Sequence, residues 1–280
     1  EKVRYTNSAT ESALHIARMV RTITGKQKVA KFEGAYHGSH DALEHSTGPS
    51  LGESGPDDAP FTVPSQAGMI PGSEDAVVIL PYNQPETVEL ILREHKDELA
   101  AVFYDGKPGM MEIPTEFSEF IRTITAELGI LLVFDETVSF MAGSGGYQKE
   151  SGIEPDLSFF GKILGGGLPG GVIGGKAEFM DLLDISEGSK GIFQSGTFSG
   201  NNMTLAAGLA TLRALTPEVY AHIDKLRQRL HEGLERAAAR VNVPVQVLSA
   251  GTMVNAFPTS TPIRDYRSYL KVDSDLHERI

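Results

Sequence analysis

Apolar runs of strand length alternate along this chain with longer stretches of helical periodicity, a pattern that few folds can satisfy. Strands are expected at residues 28–32, 76–80, 100–104 and 130–134, with helices over 85–98 and 115–128 between them. Val77-Val78-Ile79-Leu80 and Leu131-Leu132-Val133-Phe134 are apolar at every position, which suits parallel strands covered by helices on both faces. The alternation therefore predicts an α/β fold with a mostly parallel central sheet. Helical patterns follow over 201–214 and 218–241, broken by Thr216-Pro217, and residues 245–248 and 253–257 read as strands of a smaller C-terminal α/β domain. At 280 residues the chain exceeds the usual reach of one hydrophobic core. A large unit over 1–215 and the start of a small, truncated one over 216–280 are expected. Glu1 opens the chain without a methionine, and a strand and a charged helix follow almost at once, which reads as a missing upstream segment. The stretch 46–72, rich in Pro, Gly, Ser and Asp, is too long for an ordinary connection and reads as a functional or mobile loop.

Charge and composition narrow the function classes. A formal net charge of −12 argues against a nucleic-acid surface, which needs Lys and Arg in excess to displace counterions from phosphates. With no cysteine there is no disulfide framework, no thiolate metal site and no cysteine nucleophile. No run approaches the roughly 18 to 20 apolar residues that span a bilayer, and no signal-peptide pattern opens the chain, so a cytoplasmic protein is expected.

Three features carry chemistry. Ser8 and Glu11 have the spacing of a capping box ahead of the apolar face Ala13, Leu14, Ile16, Ala17 and Val20. A helix starting there would leave its first N–H groups free for an anion, and the hydroxyls of Ser8 and Thr10 could add donors; a capped helix and nothing more is the plainer reading. Asp135 closes an apolar strand at its C-terminal end, where open α/β sheets place ligands. It would need a cationic partner if buried, although a strand-end Asp also caps turns. Lys162 lies between Phe159-Phe160 and the run Gly165-Gly166-Gly167; partial desolvation there would ease loss of its proton and suit it to Schiff-base formation, against the reading of a surface lysine in a turn.

Other patterns are weaker. Gly165, Gly167 and Gly170 match GxGxxG, but Pro169 interrupts the helix that motif should open; Gly170, Gly175 and Lys176 match part of a P-loop that ends in Ala177, with no hydroxyl for magnesium. A nucleotide-binding protein built on Lys176 is thus a remote alternative. His37, His40, Asp41 and His45 cluster without a recognised zinc spacing, so no metal is assigned. Tyr36 offers a flat ring for stacking, or plain packing.

In order along the chain, Val3 to Glu11, Lys31-Phe32-Glu33-Gly34-Ala35-Tyr36-His37-Gly38, Leu131 to Glu136, Pro155 to Pro169 and Ser195-Gly196-Thr197-Phe198 resemble the class III aminotransferases of pyridoxal-phosphate fold type I, in the branch that contains glutamate-1-semialdehyde aminomutase. The resemblance implies pyridoxal 5'-phosphate held by Lys162 as a Schiff base, with Asp135 paired to the pyridine nitrogen and Val138 packed under the ring. Tyr36 would stack on the opposite face beside His37, and Ser8, Ala9 and Thr10 would cradle the phosphate. Thr197 would reach the phosphate of a neighbouring subunit, implying a homodimer. Ala9 stands where glycine is usual, Tyr104-Asp105-Gly106 where Val-Glu-Pro is common, and Ser139-Phe140-Met141 where the aminomutase continues Thr-Gly-Phe-Arg. Met203 to Gly208 and Thr216-Pro217-Glu218 are similar to the β-amino-acid transaminases of the same branch. The resemblance implies transfer of an amino group from a small-molecule donor, a β-amino acid or another amine, to a keto acid; intramolecular transfer by an aminomutase is the alternative.

Overall fold

The computed structural model describes residues 1–186 and 191–273. Seven strands form one sheet: β1 (Lys2–Thr6), β2 (Lys28–Phe32), β3 (Val77–Leu80), β4 (Leu99–Tyr104), β5 (Leu131–Asp135), β6 (Leu157–Phe160) and β7 (Gly171–Gly175), in spatial order β1-β7-β6-β5-β4-β2-β3. Strands β2 to β6 are mutually parallel, and β7 runs against both β6 and β1. Two reversals restore the original direction, so β1 is parallel to β2–β6 and β7 alone is reversed. The C-terminal ends of six strands therefore open on one edge of the sheet, where this architecture collects ligands. The strands expected from apolar runs appear within a residue or so of their expected bounds. β1, β6 and β7 complete the sheet.

Helices cover both faces. On one side lies α1 (Ala9–Thr24), whose Ala13, Ile16, Ala17 and Val20 pack in a core with Val29, Phe103 and Ile173. Ser8 caps its start, and Gly25 ends it in the left-handed conformation that glycine adopts without strain. On the other side α2 (Pro85–His95) and α3 (Thr115–Leu128) bury Val88, Leu92, Phe117 and Ile121 against Phe32, Val102 and Phe134. Two separate cores flanking the sheet explain why β3 and β4 are apolar at every position. Short helices α4 (Gly146–Ser151) and α5 (Ala177–Met180) follow β5 and β7.

Beyond these, α6 (Asn202–Ala214) and α7 (Pro217–Val241) are separated by Thr216, with Pro217 in the first turn, where its missing N–H costs nothing. β8 (Gln246–Ala250) and β9 (Met253–Phe257) pair antiparallel as a separate two-stranded sheet, and α8 (Tyr266–Tyr269) closes the described chain. Residues 274–280 of the expected small unit lie outside the described residues. Leu248, Phe257, Ile263 and Tyr266 join the same apolar core as β2 and β4. Among the described residues, no helix is long and apolar enough to cross a membrane.

The stretch 46–72 folds back on itself. Ser46 and Val63 exchange hydrogen bonds through backbone and side chain, Phe61 N–H donates to the Ser54 carbonyl, and His45 bridges Pro64. Beneath it Lys31 on β2 is wholly buried, its ammonium donating to the His45 carbonyl and to Thr47 Oγ1. Burial pushes the Lys31 amine down to about 7, against the pull of Glu44. The unfolded chain, whose lysines titrate near ~10.4, then holds more protons than the folded one between about pH 7 and pH 10, so stability should rise with pH across that window. In Lys31→Met that gain should vanish: its Tm advantage over the parent should be largest near neutral pH and shrink as pH climbs towards ~10. A constant Tm offset across the range would show that the amine keeps its ordinary value.

Candidate active site

The edge where six strands end holds a cavity of about 500 Å³. Five of the six deliver residues: Ser8, Ala9 and Thr10 after β1, Tyr36 and His37 after β2, Asp105 after β4, Asp135 and Val138 from β5 onward, and Lys162 after β6. Eight of the nine residues anticipated from the sequence thus line one cavity, and Thr197 does not.

The first turn of α1 forms one wall. Ser8 Oγ accepts the Glu11 N–H at 3.2 Å, as a capping box requires, but Glu11 Oε2 accepts from Asn7, N–H at 2.7 Å and Nδ2 at 2.9 Å, rather than from Ser8. The reciprocal bond has moved one residue upstream. Among the described residues nothing accepts from the N–H groups of Ser8, Ala9 or Thr10, so three donors at the positive end of a 16-residue helix face the cavity. Three glycines allow the approach. A Cβ on Gly171 would lie 2.3 Å from the Ser8 carbonyl, one on Gly161 would lie 2.9 Å from the Ala9 methyl, and one on Gly38 would lie 2.8 Å from Thr10 Cα.

Asp135 forms the floor. It is 6% exposed; Oδ1 accepts the Thr137 N–H at 2.9 Å and Oδ2 lies 2.8 Å from His37 Nδ1. Burial holds the His37 imidazole below its usual range against the raising influence of Asp135, so the neutral ring with its proton on Nδ1 donates to the carboxylate. His37 thereby fixes the orientation of Asp135 without neutralising it. The neighbouring Glu136 is fully buried and committed elsewhere, to Ser139 Oγ and to the N–H groups of Tyr147 and Gln148. The histidine cluster is accordingly split: His37 turns to Asp135 and His45 to Ser73 Oγ. Among the described residues no group of three or more His, Asp or Glu is arranged to hold a metal.

Lys162 corrects one expectation. Lining the cavity, Lys162 is exposed rather than partly desolvated between Phe159-Phe160 and the run Gly165-Gly166-Gly167, because it opens a tight turn directly after β6, the position that the plainer reading gave it. Its backbone takes φ of 47°, the left-handed region that a non-glycine residue enters at a cost of about 1–3 kcal/mol. Among the described residues its amine has neither a hydrogen bond nor an ion pair. Of the downstream glycines, Gly166 serves packing: a Cβ there would strike the Ala207 carbonyl on α6 at 2.4 Å, whereas one on Gly167 would meet nothing. Lys176, the remote nucleotide-site candidate, reaches Asp156 at 3.3 Å instead.

Asp105 is a site residue that the sequence reading registered only as a departure from pattern. It follows β4 as Asp135 closes β5, so the rule that singled out one carboxylate selects the other. Burial, then the charge of Asp135, pushes the Asp105 carboxyl up to about 7, against the Lys107 N–H that it accepts at 2.8 Å. Thr137, also unforeseen, lines the cavity with its hydroxyl buried and unpartnered. Thr197 is exposed on the segment after Gln194, which is tied to the start of α1: Asn7 Nδ2 lies 3.4 Å from Ser199 Oγ, and Gln194 Nε2 lies 3.4 Å from Glu11 Oε1.

Residues 1–269 match the family model described as aminotransferase class-III. The chain belongs to the class-III aminotransferase family. It is 36% identical over 280 residues to a glutamate-1-semialdehyde 2,1-aminomutase of Persephonella marina, covering 98% of this chain and 63% of that protein. A protein of the same name from Heliobacterium modesticaldum is 37% identical, covering 98% of this chain and 62% of the relative. The chain thus spans less than two thirds of the length of these curated relatives. Among solved structures, an omega-transaminase from Sphaerobacter thermophilus superposes with a TM-score of 0.91 at 38% identity, covering 96% of this chain and 62% of that one. A beta-phenylalanine aminotransferase from Variovorax paradoxus superposes with a TM-score of 0.82 at 29% identity, covering 99% and 60%. The mostly parallel α/β architecture expected of this family is the one observed.

The raised Asp105 carboxyl makes a pH prediction for this family member. Carboxyls of the unfolded chain titrate near ~3.9, so the folded chain holds the extra proton between about pH 4 and pH 7, and the stability associated with it is lost as pH rises through that interval. Asp105→Asn, neutral at every pH, should match the parent in Tm near ~4 and exceed it near ~8. Parallel Tm curves would show that Asp105 ionises as an ordinary carboxyl.

Proposed function

We propose that this chain is the greater part of a pyridoxal 5'-phosphate enzyme that transfers an amino group from a small-molecule amine donor, a β-amino acid among the candidates, to a keto acid. The observation that carries the reading is the convergence, on one cavity, of three unpaired N–H donors on α1, a buried carboxylate oriented by His37, an exposed ring at Tyr36 and an unpaired amine at Lys162. These groups fit the cofactor's phosphate, ring nitrogen, ring face and aldehyde in turn. When bound, pyridoxal phosphate supplies an aldehyde that condenses with amines and a pyridinium ring that accepts electron density from the bond being broken.

The chain's own residues then divide the work. The α1 N-terminus holds a dianion by donors and dipole together. Asp135, aimed by His37 and the Thr137 N–H, would hold a proton on the ring nitrogen. Val138 and Tyr36 are placed to pack on the two ring faces. Lys162, free of ion pairs, can bind the cofactor and, once displaced by a substrate amine, take and return a proton near the bond being broken.

Its exposed side chain has room for that exchange. The same reading divides the chain into a cofactor-binding unit over 1–215 and the start of a smaller unit from 216. It also makes the active enzyme a homodimer: Thr197 is exposed outside its own cavity, among the exposed Phe193, Phe198, Val3 and Tyr5, as a residue serving a neighbouring subunit would be.

Incubated with pyridoxal phosphate, the protein should turn yellow, and borohydride followed by peptide mapping should place a pyridoxyl group on Lys162. Lys162→Ala should carry no such label; label retained elsewhere in the chain at parental yield would refute the assignment. Asp135→Asn should stay folded and lose turnover by a factor of about 10² or more, since a neutral amide cannot hold the ring proton. Near-parental turnover would remove Asp135 from the mechanism. The names of the curated relatives favour a second reading, intramolecular transfer by an aminomutase. A keto acid separates the two, because only intermolecular transfer requires one for repeated turnover.

A further inference from the structure

Arg267 on α8 lies outside the cavity, yet its guanidinium donates to four residues, Glu33, Ser54, Gly55 and Asp57. Its side chain is 10% exposed and Glu33, its main partner, 3%. Nε donates to Glu33 Oε2 at 3.0 Å and Nη2 to Glu33 Oε1 at 3.2 Å, a two-pronged pair. The remaining donors go to the loop over 46–72: Nη2 to the Ser54 carbonyl at 2.9 Å, Nη1 to the Gly55 carbonyl at 2.8 Å, and Nη1 again to Asp57. The adjacent Tyr266 lays its ring on Gly34, where a Cβ would be 2.2 Å away, and its hydroxyl donates to the Pro49 carbonyl at 3.0 Å.

Glu33 and Gly34 open the turn that carries Ala35, Tyr36 and His37 into the cavity. Its other ties are to the sheet and the loop: Glu33 N–H to the Leu80 carbonyl and Gly34 N–H to the Ser46 carbonyl at 2.8 Å. The Glu33 carboxylate itself has no other described partner. Without Arg267 a charge would be left buried and unpaired, and the turn would have to open to hydrate it.

We propose that Arg267 is the positioning residue for this wall: through Glu33 it fixes the turn presenting Tyr36 and His37, and binds that turn to the 46–72 loop and to α8. The cofactor arm of this inference rests on the pyridoxal-phosphate reading above; the positioning itself does not.

Two measurements on the cofactor-free protein keep the questions separate. Hydrogen–deuterium exchange of peptides spanning 33–38 should quicken by about tenfold in Arg267→Met, while α3 peptides stay at parental rates. Titration with pyridoxal phosphate should show an apparent Kd raised by about tenfold or more, as when a supporting partner is removed from a ligand-holding group. Arg267→Lys should recover little, since one ammonium cannot span both Glu33 oxygens and two carbonyls. Glu33→Met/Arg267→Met, which leaves no orphan charge, should regain Tm while exchange over 33–38 stays fast; it also serves if Arg267→Met alone does not fold. Parental exchange over 33–38 in the variants that fold overturns the positioning role, as does a parental Kd alongside normal binding by the parent. A parent that binds no pyridoxal phosphate sinks the functional reading instead, and the exchange result still decides this one.

Discussion

One directional constraint underlies the site: six strands of a seven-stranded sheet end on the same edge, and one reversed strand, β7, makes this possible for β1. β7, laid directly beside β6, runs antiparallel to it and ends on the far side. By inserting β7 between β6 and β1, the chain returns β1 to the common direction and delivers the first turn of α1 to the edge where Asp135 and Lys162 lie. The same strand brings Gly171 beneath Ser8, so the topology that aims the donors also clears the space in front of them.

What the edge gathers is then ordered by how each polar group meets burial. Asp135 and Asp105 are two carboxylates at equivalent positions on adjacent strands, and their surroundings resolve the same problem differently. Asp135 accepts hydrogen bonds from the His37 ring and the Thr137 N–H, one on each carboxylate oxygen. Asp105 receives one N–H and the field of its neighbour, which favours the protonated form. Burial first and the charge of Asp135 second raise the Asp105 carboxyl, whereas Asp135 has the dedicated side-chain donor. Glu136 shows the third outcome, a carboxylate so fully bonded to Ser139 and the start of α4 that it takes no part in the cavity.

The fold was legible because its signals are local and periodic. Val77 to Leu80 and Leu131 to Phe134 announce doubly covered strands by composition alone, and Thr216-Pro217 marks a helix break by backbone chemistry. Most of the site was legible for the same reason: Ser8 and Asp135 sit at the ends of elements, where the sequence shows both the element and its boundary. The surroundings of those residues were not legible. The residues around Lys162 suit both a partly desolvated amine and a surface lysine in a turn and do not decide between them, and the spacing of Ser8 and Glu11 cannot show that Asn7 intercepts the glutamate. Asp105 stands at a strand end as Asp135 does, but Tyr104-Asp105-Gly106 reads first as a departure from the family pattern, which hides the carboxylate's position beside β5.

The contact between Gly161 and Ala9 shows how such departures are absorbed. Where glycine is usual at position 9, alanine adds a methyl in the turn whose N–H groups face the cavity. That methyl points at Gly161, and only the absence of a side chain there keeps the two backbones at their observed separation. The residue before Lys162 and the residue after Ser8 are therefore linked by one steric condition, although about 150 positions separate them in the chain. A larger group at either position would move the amine and the helix N-terminus apart together. The separation of the groups proposed to hold the aldehyde and the phosphate of one cofactor thus depends on an apolar contact, the Ala9 methyl against Gly161, beside the polar atoms that would hold them.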